Sequence, residues 1–345
     1  YRQYLGAAVK SIVCTEPGKL IIEERSDPTP PKDWVTLKMK RVGLCGTDFH
    51  IFKGLHPFLE YPRVMGHELS GEILETPKNG RFSVGDSVII NPYLSCGDCV
   101  SCKKSKSNCC VNLKVLGVHT DGGMCEFLCL PERAIYSARG LTLSEAAMVE
   151  FLSIGAHAVS RGQLLAGSRI LVIGAGPIGL GVALFASFEE ASVVAILDVN
   201  TERVVFAENL SDAFSGFVVG DDVDEKLREF TKGDMFDVVF DATGNAQSME
   251  KSLDYTSHGG ACVFVSVVKD KIRFSDPFFH AREMKIIGSR NANRIDFENV
   301  IDKIHSGKIP SSELNSHNID LLDLPKQLPT WIENGTGLVK AIAHL

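Results

Sequence analysis

An apolar run, Arg169–Gly174, feeds directly into Gly174-Ala175-Gly176-Pro177-Ile178-Gly179 and then into a second apolar stretch reaching about Phe188. Three glycines at this spacing, between a strand pattern and a helix pattern, leave few folds open. Gly174 permits a tight turn, Gly176 lets the backbone approach a pyrophosphate, and Gly179 lets helix and strand pack closely. The free N–H groups and partial positive charge at the helix start then face the phosphates. The expected contact set at this turn is Gly174, Gly176, Pro177, Ile178 and Gly179. Alone the motif is weak, since a glycine-rich turn can exist without a ligand. It gains weight from Asp198, 19 residues after Gly179 at the end of the next apolar run, Ser192–Asp198. A carboxylate there can bind both ribose hydroxyls and repels a 2′-phosphate, which favours NAD over NADP.

The same alternation continues. Helical patterns over Thr201–Leu210 and Met249–Tyr255 alternate with apolar strands at Phe236–Asp241, Ala261–Val268 and Lys285–Gly288. Strands alternating with helices predict a parallel sheet covered on both faces, an α/β Rossmann doubly wound arrangement. The first 150 residues read differently, as short strands separated by turns. Ile12–Val13, Leu20–Glu23, Trp34–Met39, Glu72–Leu74 and Ser87–Ile90 are separated by turn residues such as Asn79–Gly80, the pattern of a compact β-rich domain. Residues 1–9 are not assigned to the first strand. Leu143–Val159 reads as helical, and the last stretch carries a helix near Val300–Ser306 and an apolar strand, Leu338–Ala343.

Cys96-x2-Cys99-x2-Cys102-x7-Cys110 is the most specific short signal in the chain. Four thiolates suit tetrahedral zinc, and full sulfur coordination leaves no open position, so such a zinc is structural. Cys109 competes with Cys110 for the fourth place. A redox dithiol or buried free thiols are the other readings, disfavoured by the wet surroundings of Lys103, Lys104 and Lys106. Ten cysteines, four of them in one array, and no secretory pattern at the start point to a cytoplasmic protein with reduced thiols.

Bulk composition excludes other classes. With 36 basic and 43 acidic residues the formal charge is −7, and no basic stripe fits a nucleic acid. No apolar stretch reaches the roughly 18 residues of a membrane span. At 345 residues and 44% hydrophobic, the chain can bury two cores.

Two further stretches, Gly43-Leu44-Cys45-Gly46-Thr47-Asp48-Phe49-His50 and Gly66-His67-Glu68, are too far apart to form one local motif. Together with Tyr61-Pro62-Arg63-Val64, Gly117-Val118-His119, the four-cysteine segment, Val149–Val159, the glycine turn and Phe240–Asn245, they give a chain that resembles the zinc-dependent medium-chain dehydrogenase/reductase family over nearly its whole length. That resemblance implies a GroES-like catalytic domain over residues 1–155 and 293–345, with a zinc lobe at about 91–113, and a Rossmann NAD-binding domain over 156–292. It implies two zincs per chain, with Cys45 and His67 on the catalytic one and the Cys110 choice in the structural one. Polyol-type members carry a Glu as third ligand, here Glu150, and Glu68 can exchange with it; both stay open. Asp48 would orient His67. As in alcohol dehydrogenases, Thr47 would pass a proton outward, with His50 as terminal acceptor near neutral pH; in the polyol branch the alternative exit is a Glu-held water. Arg203, Thr243, Val265, Ser289 and Arg290 complete the implied cofactor contacts. A homodimer or homotetramer is expected.

This chain departs from the family pattern in places. Phe151 follows Glu150 where Pro is frequent, which predicts a less rigid ligand segment. Glu190 occupies a helix-to-strand turn where Gly is usual, because the left-handed conformation is easy for Gly. His157, in an apolar helix, reads as structural. Phe274–His280 and Gly288–Ala292 resemble bacterial hexonate dehydrogenases, which act on L-galactonate or L-gulonate, and a sugar acid would need a cation such as Arg290 or Lys269. Sorbitol- or xylitol-type polyol oxidation, threonine oxidation and a non-catalytic NAD-binding relative are the alternatives.

Overall fold

The computed structural model describes residues 9–26, 30–57, 59–335 and 337–345. By compactness the chain divides into two units, Tyr1–Glu150 with Val300–Leu345, and Phe151–Asn299.

The first unit is built on strand Trp34–Leu44. Its residues Thr36–Gly43 pair antiparallel with Glu68–Glu75 on one side, placing Gly43 opposite Glu68. On the other side it pairs antiparallel with Lys340–His344, placing Leu44 opposite Ala341. This register brings segments hundreds of residues apart in sequence to one sheet end. Ile12, Leu37, Met39, Ile51, Met65, Leu69 and Ile73 fill the core and are fully buried. A smaller sheet pairs Val9–Glu16 with Lys19–Arg25. Val9, which the sequence left outside the first strand, therefore opens it, while residues 1–8 lie outside the described residues. Asn315–Asp320, not recognised from sequence, adds an edge strand beside Lys340–His344. Its polar alternation, half-buried and exposed in turn, carries no apolar signal.

In the second unit, six parallel strands run in the order Phe214–Val218, Val193–Asp198, Arg169–Ile173, Phe236–Asp241, Thr256–Phe264, Lys285–Gly288. This 3-2-1-4-5-6 order is that of the Rossmann fold. Phe214–Val218 and the helix Val223–Phe230 escaped the sequence reading: one is an edge strand interrupted by Gly216, the other short and highly charged. The strand expected at Ala261–Val268 instead spans Thr256–Phe264, because Gly259 and Gly260 are tolerated inside it. Met249–Tyr255 is split between a helix, Ala246–Ser252, and a single 3-10 turn. His157 is structural: it is buried, and its Nδ1 lies 2.9 Å from Asp296 Oδ2. Among the described residues no helix is long and apolar enough to cross a membrane.

Candidate active site

Cys45 follows strand Trp34–Leu44 and caps the helix Gly46–Phe52. The Asp48 carboxylate folds back so that Oδ2 accepts the Cys45 N–H at 2.9 Å. Its other oxygen, Oδ1, faces His67 Nδ1 across 3.9 Å, and among the described residues neither of these buried atoms has a hydrogen-bond partner. Ligand atoms of Cys45, His67 and Glu68 lie within 4.8 Å of one another. A soft thiolate, an imidazole and a carboxylate, with a carboxylate behind the imidazole, are the donors of a catalytic zinc site. The residues present thus fit a zinc ion. Burial disfavours the imidazolium of His67, but Asp48 and then Cys45 outweigh it and hold its pKa well above the usual value.

Glu68 is not a free carboxylate. Lys340 Nζ donates to both of its oxygens, at 2.7 and 2.8 Å, and to Leu44 O at 3.1 Å. Both side chains are fully buried. Gly43 makes room for this pair, since a Cβ there would stand 2.2 Å from Glu68 Oε2. Lys340 was missed from sequence: it read as part of an apolar terminal strand.

Glu150 sits on the helix Leu143–Gly162, not on a loose segment. Thr142 and Glu145 form a reciprocal cap at its start, with Glu145 N–H donating to Thr142 Oγ1 and Thr142 N–H to Glu145 Oε2. Ser70 Oγ also donates to Leu143 O at 2.6 Å. Phe151 is fully buried beside it. Glu150 and Phe151 thus lie inside a helix rather than on a loop. Glu150 accepts a hydrogen bond from the Tyr93 hydroxyl. Burial, opposed by His67 and reinforced by Glu68, pushes Glu150 up to about 7. Burial and the Glu150 charge raise Tyr93, so the phenol keeps its proton. Tyr93 is the second residue that sequence reasoning missed.

Thr47 and His50 share the helical turn after Cys45. The Cys45 thiol donates to Thr47 Oγ1 at 3.7 Å. His50 is exposed, and partial desolvation together with the charge of Lys53 lowers its pKa. Among the described residues no hydrogen bond joins the Thr47 and His50 side chains.

The four-thiol lobe is a separate cluster in the same unit. Cys99 and Cys102 sulfurs lie 3.5 Å apart, Cys96 and Cys110 sulfurs 3.4 Å apart, and all four within 4.8 Å. Roughly 2.3 Å Zn–S bonds give a tetrahedron edge of about 3.8 Å, close to these spacings. Backbone N–H groups of Cys102 and Val111 lower the Cys99 thiol to about 6, whereas a hydrogen bond with Asp98 raises Cys96 and burial raises Cys102. Cys109 is exposed and outside the cluster.

In the second unit, Gly174 has φ +98° and its N–H donates to Leu197 O at 2.7 Å. A Cβ on Gly179 would sit 1.7 Å from Gly174 O, so only Gly fits. A Cβ on Gly176 would meet nothing within 4 Å, which leaves open space at the N-cap of helix Pro177–Ser187. Pro177 and Ile178 form its first turn. A pyrophosphate fits such a cradle. Asp198 is buried and bound to the turn itself: its oxygens accept Ala175 N–H at 2.7 Å and Asn200 N–H at 2.8 Å. Each oxygen keeps a lone pair for a ribose hydroxyl. Arg203 is exposed on the next helix, where its N–H caps onto Asn200. Thr243 and Val265 lie just past the strand ends, bonded to Asp241, and Ser289 N–H donates to Phe264 O. Ser289 Oγ is buried with no hydrogen-bond partner among the described residues, whereas Arg290 and Lys269 are exposed. These residues gather at the carboxyl ends of the strands, where this fold binds dinucleotides.

Comparison with known proteins agrees with this layout. Residues 31–139 match the alcohol dehydrogenase GroES-like domain, and residues 177–306 match the zinc-binding dehydrogenase domain. The chain is 37% identical over 332 residues to the L-galactonate-5-dehydrogenase of Escherichia coli K12, covering 96% of this chain and 97% of that protein. It is 28% identical over 325 residues to the sorbitol dehydrogenase of Halalkalibacterium halodurans, covering 92% and 94% of the two chains. Among solved structures, a short chain alcohol dehydrogenase (rspB) from E. coli CFT073, complexed with NADH, superposes with a TM-score of 0.91 at 28% identity, covering 99% of this chain and 100% of that one.

Proposed function

The chain belongs to the zinc-dependent medium-chain dehydrogenase family, and on that premise we propose that it oxidises a secondary alcohol of a hexonate such as L-galactonate or L-gulonate with NAD. What carries the substrate reading is the 37% identity, over almost the whole of both chains, to a relative named for L-galactonate. The stretches Phe274–His280 and Gly288–Ala292 point the same way.

When bound, zinc supplies Lewis acidity that lowers the pKa of a substrate hydroxyl, and the nicotinamide supplies the hydride acceptor. Cys45 and His67 hold the ion in this reading, and Asp48 fixes the imidazole. We assign Glu150 as third ligand ahead of Glu68: Glu68 is the carboxylate grouped with Cys45 and His67, but Lys340 engages both of its oxygens, whereas among the described residues Tyr93 engages Oε1 of Glu150 alone. In this reading Thr47 would relay the hydroxyl proton by accepting it while releasing its own, and His50, which among the described residues makes no direct hydrogen bond to Thr47, would be the terminal acceptor. Cys96, Cys99, Cys102 and Cys110 hold the structural zinc. Asp198 selects NAD. The division of labour assigns metal chemistry to the first unit and cofactor binding to the second, and assembly is as a homodimer or homotetramer.

The test is a substrate panel of L-galactonate, L-gulonate, sorbitol, xylitol and threonine with NAD, followed by NADH absorbance. We expect hexonates to exceed polyols in kcat/KM by at least about tenfold, the scale of one lost favourable contact of roughly 1.4 kcal/mol. A preference for sorbitol would favour the polyol reading, to which the sorbitol dehydrogenase relative lends support. No turnover on any of them would remove the hexonate and polyol readings together.

A further inference from the structure

Tyr93 belongs to none of the motifs that mark the site, yet its side chain ends there. Its backbone is fixed at both ends of a short path. Tyr93 N–H donates to Asn91 Oδ1 at 2.9 Å, and Asn91 N–H donates to Ala134 O at 2.8 Å. Tyr93 pairs with Val115 in the two-stranded ribbon Tyr93–Leu94 with Lys114–Val115, at the root of the four-thiol lobe. Cys96 follows three residues later. From this anchored position the phenol hydroxyl donates to Glu150 Oε1. Glu150 itself is 4% exposed and lies on a capped helix, so the bond joins two anchored side chains.

A hydrogen-bond donor on one carboxylate oxygen settles the rotation of the whole group. It thereby fixes which oxygen is presented to a metal and in what plane, the task of partners placed behind metal ligands. A phenylalanine would fill the same volume, so packing alone does not call for the hydroxyl.

We infer that Tyr93 is a positioning residue for the catalytic metal, acting through the Glu150 carboxylate. The inference rests on the reading of Glu150 as a metal ligand. Its test therefore separates the two. Tyr93→Phe, Glu150→Gln and the double variant are loaded with zinc, and release of the more weakly held ion is titrated against a chromophoric chelator. Thermal denaturation and retention of the thiol-bound zinc report on folding.

Loss of an outer partner of a metal ligand weakens affinity by about 10–100-fold. We expect that loss for Tyr93→Phe, with the thiol-bound zinc and the melting temperature unchanged. We expect a larger loss for Glu150→Gln and no further loss in the double variant, because both changes disable one contact. Cobalt-substituted Tyr93→Phe should show an altered visible spectrum, which a purely structural tyrosine would leave unmoved. Weak binding in Glu150→Gln with wild-type binding and spectrum in Tyr93→Phe overturns the inference and spares the ligand assignment. Wild-type binding in Glu150→Gln overturns both. Full additivity in the double variant overturns the inference. If Tyr93→Phe fails to fold, the native protein carries the test: chelating the ion should perturb near-ultraviolet tyrosine absorbance, and metal release without a tyrosine signal overturns the inference.

Discussion

Replacing Lys340 by Met should destabilise the first unit by about 3–5 kcal/mol, the range for breaking a buried ion pair from one side. The structure places this case at the costly end. Lys340 and Glu68 are both fully buried, with three Nζ hydrogen bonds, two to Glu68 and one to Leu44 O. Met keeps the length and apolar character of the lysine stem, so the loss isolates the charge. The double variant Lys340→Met/Glu68→Gln removes the stranded charge and should recover most of the stability. Urea denaturation followed by tryptophan fluorescence reads the right part of the molecule, because Trp34 and Trp331, the chain's two tryptophans, both lie in this unit. A single-variant cost below about 1 kcal/mol, in the range of exposed pairs, would refute the reasoning. So would a double variant no more stable than the single.

Three further outcomes follow from the geometry. Cys110→Ser should release the structural zinc and lower the melting temperature, whereas Cys109→Ser should do neither; equal behaviour by zinc analysis and calorimetry would remove the cluster assignment. Glu190, with φ +56°, is strained in the left-handed region, so Glu190→Gly should raise stability by about 1 kcal/mol in thermal denaturation, and a loss would contradict this. Asp198→Ala should lower the preference for NAD over NADP in steady-state kinetics. It should also loosen the turn, since it removes the acceptor of Ala175 N–H, and an unchanged preference would mean that another group discriminates.

Much of this was readable without coordinates because it is local. The glycine turn, its strand, its helix and Asp198 fall within one βαβ unit, where spacing alone dictates the geometry. The four thiols likewise lie within 15 consecutive residues. Cys45 and His67 became meaningful only through the family resemblance, because antiparallel pairing of Trp34–Leu44 with Glu68–Glu75 is what brings them together. Lys340 was illegible for the same reason carried further. It lies 272 residues from Glu68, and a lone lysine in an apolar strand gives no sign of a buried partner. Tyr93 was hidden by its position, since an aromatic residue beside a turn reads as packing until its hydroxyl is seen to reach a carboxylate. Phe214–Val218 and Asn315–Asp320 went unseen because edge strands need no continuous apolar run.

The central claim is that Cys45 and His67 hold one ion while the thiol lobe holds another, and that the NAD site is built separately in the second unit. Zinc analysis of the native protein and of Cys45→Ala, with NAD affinity measured on both, tests it most directly. The account predicts two zincs per chain in the native protein, one in the variant, abolished turnover and nearly unchanged NAD affinity. Two zincs retained by Cys45→Ala, or a single zinc in the native protein, would contradict it.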